Sequence, residues 1–428
     1  MRLKKRNVPG MSKTPCPCVA VVTIAVAIAL SASAAAQTLT ILHNFTGGGD
    51  GARPEYGVVI DRGGNLYGAA TEGGCPVCAG IAFQMKRAGS GFAFNPLHIF
   101  GNTDDVDGEA PAALIIGPNG TIYGTTLSGG GECDPNECGV VYNVFPMASV
   151  CKTALCPWNE SLPHVFGPQE GHGPAFAPPL FDAAGNIYGT TSVLSDIYKL
   201  VPSGNNHWTL NVLYTFTGGP DGTAPLSGVI LDGSGNLYGT ASEGGISTCQ
   251  SGCGTVFELS PSGGGWTLTT LHPFQGSDGQ TPVGGLIFDA AGNLYGTTSL
   301  GGANGGGTVF ELSPSHGSWT LTTLYSFSGN LGPYGALTMD AAGNLYGTTL
   351  KDGANGQGAV FKLTKNGQSW MYTSLHDFTG GSDGGQPYGS VTFDANGNLY
   401  GTAAIGGNTV GQCDQGMGCG VVWEISSH

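Results

Sequence analysis

The chain has 428 residues, of which 10% are charged, with 29 acidic against 14 basic side chains. Five of the basic residues fall within the first 36, so residues 37–428 hold nine cations and a net charge of −20. Nine scattered cations cannot form the basic stripe that displaces phosphate counterions, and so negative a chain is repelled by anionic lipid; nucleic-acid and membrane partners are not expected.

The chain starts with Arg2, Lys4, Lys5 and Arg6, continues into an apolar run at 19–30 and passes through small residues at 31–36. That order reads as a secretory signal peptide (1–36), with Gln37 opening the mature protein in the periplasm or outside the cell. The apolar run is twelve residues long, too short to span a bilayer.

From there one segment recurs seven times. It is DRGGNLYG from Asp61, GPNGTIYG from Gly117, DAAGNIYG from Asp182, DGSGNLYG from Asp232, DAAGNLYG from Asp289 and Asp340, and DANGNLYG from Asp394. Its tyrosines, Tyr67, Tyr123, Tyr188, Tyr238, Tyr295, Tyr346 and Tyr400, are 50 to 65 residues apart, the spacing of a repeat architecture. Gly and Pro make up 102 residues, but they are periodic and flank aromatic runs, so they mark turns and not disorder.

Each period predicts four short strands and no helix. In the fifth, strands are expected at 284–289, 293–299, 307–313 and 319–327, with tight turns at 290–293 and 314–318. Aromatics hold this register. One lies eight residues before the strand-ending Phe in six periods: Phe92/Phe100, Trp158/Phe166, Trp208/Phe216, Trp266/Phe274, Trp319/Phe327 and Trp370/Phe378. Every third strand carries another: Phe83, Tyr142, Tyr198, Phe257, Phe310, Phe361 and Trp423. Side chains this large fill the gap between facing sheets.

The last period stops after its third strand, while a spare fourth strand, 38–45, opens the mature chain. Joining the two gives a seven-bladed β-propeller of four-stranded antiparallel blades over 37–428, closed by the N-terminal strand and leaving no free blade edge. A closed ring is expected to be a monomer.

Ten cysteines follow the leader in five close pairs: Cys75/Cys78, Cys133/Cys138, Cys151/Cys156, Cys249/Cys253 and Cys413/Cys419. Local disulfides are expected in an exported chain. The pair Cys75/Cys78 has zinc-knuckle spacing, but no second CxxC or His pair accompanies it. Each bridge would close a loop of four to seven residues, worth about 2 kcal/mol, enough to stiffen loops without holding the fold.

Strand parity puts the loops entering each blade and the loops joining second to third strands at one end. There an acid recurs four residues before a proline: Asp50, Asp107, Glu170, Asp221, Asp278 and Asp383, with only the sixth blade lacking it. Asp50, Asp107, Asp221, Asp278 and Asp383 are the candidate ligand or Ca²⁺ residues, because hard cations want gathered carboxylates. The favoured reading is structural, since a residue repeated in six blades serves each blade. No cofactor is expected.

His43, His98, His164, His272 and His376 share one position, two before the strand-ending Phe, where Tyr214 and Tyr325 stand in the other two periods reaching that Phe. A catalytic residue should break the symmetry; these obey it, so no catalytic residue is assigned. Off-pattern acids at the same end are Asp104, Asp105, Glu132, Asp134, Glu137, Asp352 and Asp414.

Through its LxxLxxF, DGxxP, DxxGNLYG and GGxVFEL segments the chain resembles the GloVer tandem repeat of exported bacterial proteins. Through the strand–DxxGNLY–strand unit it resembles the wider NHL and SMP-30-like propellers. The resemblance covers residues 38–425 and implies an exported propeller; it brings no catalytic residues to transfer. Family members often end in a sorting anchor, and the tail after Trp423 is not hydrophobic, so surface anchoring is not expected. The sequence therefore favours a non-enzymatic binding or structural module. It would meet a glycan, peptide or envelope component through its disulfide-stiffened loops. The alternative is a carboxylate-based hydrolase or lyase acting on polysaccharide at the channel mouth.

Overall fold

The computed structural model describes residues 37–426 except 76–77, 102–106, 131–137, 147–157, 169, 171–172, 174–176, 205–206, 247, 408–412 and 414–415. The leader at 1–36 and the cysteines Cys133, Cys151 and Cys156 therefore lie outside the described residues. So do Asp104, Asp105, Glu132, Asp134, Glu137 and Asp414 among the off-pattern acids.

Seven four-stranded antiparallel sheets follow one another, six of them with strands in simple sequence order. Blades 1 to 6 occupy 58–99, 109–165, 180–215, 229–273, 287–326 and 338–377. Blade 7 combines Thr392–Phe393, Leu399–Ala403 and Val421–Ser426 with the N-terminal strand Thr38–Asn44. That strand pairs from Thr38↔Ser426 to Asn44↔Val421, closing the ring as the spare strand predicts. Leu42 itself takes the bulge between the paired residues Ile41 and His43.

Blade 5 shows how the repeat builds a sheet. Its strands are Ile287–Phe288, Leu294–Thr298, Thr308–Ser315 and Ser318–Ser326. The first is much shorter than its apolar run predicts, because Gly284 and Gly285 pass so close to the next blade that pairing cannot continue. A Cβ on Gly284 would lie 2.7 Å from the Gly335 carbonyl. The third strand runs two residues further into the turn than predicted, and the fourth starts one residue earlier and ends one residue earlier. Pro314 pairs with Trp319 inside the ladder, and the turn is His316-Gly317, both at positive φ as a type I′ hairpin requires. Proline fits there because the second strand reaches only as far as Leu312, so the missing N–H faces an unpaired side.

Large side chains join the blades. The strand-ending Phe of each blade meets the third-strand aromatic of the next, edge-on or tilted, in all seven interfaces: Phe45/Phe83, Phe100/Tyr142, Phe166/Tyr198, Phe216/Phe257, Phe274/Phe310, Phe327/Phe361 and Phe378/Trp423. Their ring centroids are 4.7 to 5.9 Å apart. Such pairs add about 0.5–1.5 kcal/mol each beyond their buried area. The same aromatic lies over the glycine of NLYG directly across the ladder; a Cβ at Gly296 would sit 2.5 Å from the Phe310 ring. Trp423 is fully buried, whereas the tryptophans that begin outer strands are half-buried and face the preceding blade, Trp319 against Tyr238 and Trp370 against Tyr295.

The threonine after NLYG is buried and hydrogen-bonds into the next blade: Thr240 to the Pro282 carbonyl, Thr348 to the Gly389 carbonyl, and Thr402 from the Gly57 amide. The last of these crosses the closure. Inner backbones touch there without side chains between them, since a Cβ on Gly389 would be 2.3 Å from the Gly57 nitrogen.

Candidate functional site

The two ends of the ring are built from different turns. At one end, the DxxGNLY segment folds into a self-contained cage. In blade 5, Asp289 Oδ1 accepts the amides of Ala291 and Asn293, and Oδ2 accepts Asn293 Nδ2 and the Tyr295 hydroxyl at 2.8–3.2 Å. Asp61, Asp182, Asp232, Asp340 and Asp394 repeat the arrangement. Burial would raise these carboxyls, but the donors outweigh it and hold all six below the ordinary aspartate value. The motif is thus accounted for by the turn it makes.

At the other end, the repeated acids and the repeated histidines prove to be one device. His43 meets Asp50 at 3.1 Å, His98 meets Asp107 at 2.9 Å, His164 meets Glu170 at 3.1 Å, His272 meets Asp278 at 2.9 Å, and His376 meets Asp383 at 3.0 Å. Tyr214 donates to Asp221 at 3.0 Å in the same way. A bulge at Leu42, Leu97, Leu213, Leu271 and Leu375 precedes the His or Tyr, turning that side chain toward the acid on the outgoing loop. The acid also accepts the loop's own donors; Asp221 takes the amide and hydroxyl of Thr217 at 2.8 and 2.6 Å. Each of the five candidate residues Asp50, Asp107, Asp221, Asp278 and Asp383 is therefore tied to its own blade's outer strand. Among the described residues they do not gather with one another into a group of three metal-capable side chains.

The blade that departs from this pattern is the second. Two residues after the outer-strand aromatic the other blades carry Phe94, Leu210, Leu268, Leu321 and Tyr372. Phe94 stacks flat on His43 at 4.1 Å and Tyr372 on Tyr325 at 4.7 Å, so this position covers the previous blade's latch. In blade 2 it is Glu160. Its Oε1 lies 3.5 Å from His98 Nε2, which Asp107 already contacts. Burial, with the neighbouring Asp107 charge opposed by His98, pushes the Glu160 carboxyl up to about 7. Sequence reading passed over this acid. Aligning the strand on Trp158 would have found it, as a charge where every other outer strand shows an apolar or aromatic residue.

A second asymmetric group lies where blades 6, 7 and 1 converge. Arg53 Nη2 holds Glu55 at 2.9 Å and its Nε holds Glu72 at 3.3 Å. Tyr388 meets Tyr334 edge-on at 5.7 Å. Burial raises the Tyr388 hydroxyl, the Glu55 charge raises it further and the Arg53 charge partly offsets this. Arg53 also lines a small pocket with Glu72, Ile405, Cys413, Met417 and Gly418. These residues follow or precede the repeated proline, at positions that vary from blade to blade, and sequence reading did not single them out.

Disulfides frame this end. Cys75–Cys78, Cys249–Cys253 and Cys413–Cys419 are formed, and Cys138 is also disulfide-bonded. The carbonyls of Cys253 and Cys419 accept the amides of Thr281 and Arg53, at positive φ in the next blade's incoming loop, so each bridge braces an interface. Asp352, the one described off-pattern acid, accepts the amide of Gly353 at 2.8 Å.

The architecture is that of a closed seven-bladed β-propeller whose varied, disulfide-braced loops share one end. The Gloeobacter/Verrucomicrobia repeat matches residues 28–249 and 194–413, and the chain belongs to this family. Among solved structures it is similar to virginiamycin B lyase from Staphylococcus aureus, with 13% identity, a TM-score of 0.55, and coverage of 91% of this chain and 99% of that one. It is also similar to the extracellular domain of BT4673, assigned as a hybrid two component system, from B. thetaiotaomicron. There identity is 12%, the TM-score is 0.55, and 91% of this chain covers 42% of that one. At these identities the likeness is one of fold. No curated protein matches the chain.

Proposed function

We propose that this protein is an exported, non-enzymatic binding module that takes a glycan on its disulfide-braced end. The observation that carries this reading is the polar and aromatic group at the convergence of blades 6, 7 and 1, where half-buried Tyr334 and Tyr388 meet edge-on and Tyr388 is within electrostatic reach of the Arg53–Glu55 ion pair. Tyrosine offers an apolar ring with a hydrogen-bonding tip, and a guanidinium fork fixes the direction of polar ligand groups. The recurring carboxylates, by contrast, are occupied by donors of their own blades. The disulfides support export, because such bonds persist in oxidising compartments. Function on this reading resides in the irregular loops.

The test is a binding screen against cell-wall and plant polysaccharides, followed by titration of the best ligand. Arg53→Ala and Tyr388→Ala should each weaken that ligand at least tenfold while leaving the melting temperature within a few degrees. New reducing ends released from the polysaccharide would overturn the reading in favour of a hydrolase or lyase. Unchanged affinity in both variants would remove the site.

A further inference from the structure

We propose that His98, Asp107 and Glu160 form a binding site for one divalent transition-metal ion, Zn²⁺ by preference, at the interface of blades 1 and 2. The site is independent of the glycan-binding reading. His98 Nε2 lies 2.9 Å from Asp107 Oδ2 and 3.5 Å from Glu160 Oε1, and the three ligand atoms all fall within 4.8 Å of one another. Metal–ligand bonds of about 2.0–2.2 Å set donor atoms roughly 3–3.5 Å apart, so little movement is needed for all three to face one ion. One imidazole with two carboxylates suits Zn²⁺ or Mn²⁺ and leaves room for a solvent ligand.

Two further observations point to a ligand. The Glu160 Oε1 atom is buried and has no hydrogen-bond partner among the described residues. The Tyr142 hydroxyl is fully buried and equally unpartnered there, and it feels the Glu160 charge. Two carboxyl groups share one imidazole in a half-buried place, and buried charges are paired or hold metals. The blade symmetry shows what the site costs: at this position every other blade uses an apolar or aromatic residue, and Phe94 and Tyr372 stack there on the neighbouring His43 and Tyr325. The four ordinary His–acid latches lack the third ligand, so the cluster is specific to this interface among the described residues.

The experiment uses the chelator-stripped protein and ZnCl₂ alone, read by calorimetric titration and by thermal melting, with MnCl₂ as a second probe. One equivalent of Zn²⁺ should bind below 10 µM and raise the melting temperature by several degrees. Glu160→Leu installs the residue four other outer strands carry, Leu39 included, so it should fold and melt, without metal, at or above the parent temperature while losing at least 100-fold in affinity. Glu160→Gln, which keeps the shape, should lose at least tenfold. Asp278→Asn, in an ordinary latch, should bind as the parent does. Absence of a one-equivalent site in the parent, or parent-like affinity in both Glu160 variants, overturns the proposal.

Discussion

Each of the repeated aspartates and histidines acts within a few positions of itself. Asp289 collects two amides, one carboxamide and one phenol, and no other part of the protein is needed to explain why aspartate stands there. Asp289→Ala should therefore lower stability by about 1–2 kcal/mol, the scale of lost hydrogen bonds to a charged acceptor discounted for an exposed turn. The shift would be read from the urea midpoint; an unchanged midpoint would show that the cage is dispensable. The same bonds predict a response to acid. All six cage aspartates have folded-state values below their ordinary one, so they stabilise the fold above the unfolded aspartate value near pH 4. That stability drains away as pH falls through the lower folded values. The cage's share of the urea midpoint, read as the difference between the parent and Asp289→Ala, should stay level from pH 7 to about pH 5 and shrink below about pH 4; a difference that grows on acidification contradicts the sign.

The strands were legible because the repeat states its own register. The glycine of NLYG, the aromatic over it and the strand-ending Phe are each fixed by contact with large side chains, and large side chains leave periodic marks. What escaped were relationships across a bulge. The histidines and the acids were visible as two sets, His272 and Asp278 among them, yet their union depends on an extra residue in the outer strand that reorients the ring. Glu160 escaped for a related reason: its meaning lies in what it replaces on a neighbouring blade. The ring-closing strand Thr38–Asn44 is an element whose removal can be tested directly. Deleting 37–46 strips the outer strand from blade 7, exposes Trp423 and Val422, and removes Phe45 from its place against Phe83. The product should aggregate or fail to fold; a soluble monomer with the parent melting temperature would contradict closure by this strand.

At the scale of the molecule, the sequence foretold a ring and the end of it where loops vary, but not the group at the convergence of blades 6, 7 and 1. The Arg53–Glu55 pair stands hundreds of residues before Tyr334 and Tyr388 in sequence, and only closure brings the two pairs to one place. The seam itself is made of the same parts as every other interface. Pro54 packs on Gly420 as Pro282 packs on Gly254, and Thr402 meets Gly57 as Thr348 meets Gly389.

That joint has a bearing on how the protein comes into being. The Ser426 hydroxyl bonds to the carbonyl of Thr38 across 388 positions of sequence. A ribosome delivers Thr38 long before Ser426. Until the tail arrives, the head has no partner, and neither half of blade 7 can mature. Closure of the ring is thus withheld from the growing chain until the last strand of blade 7 has been made.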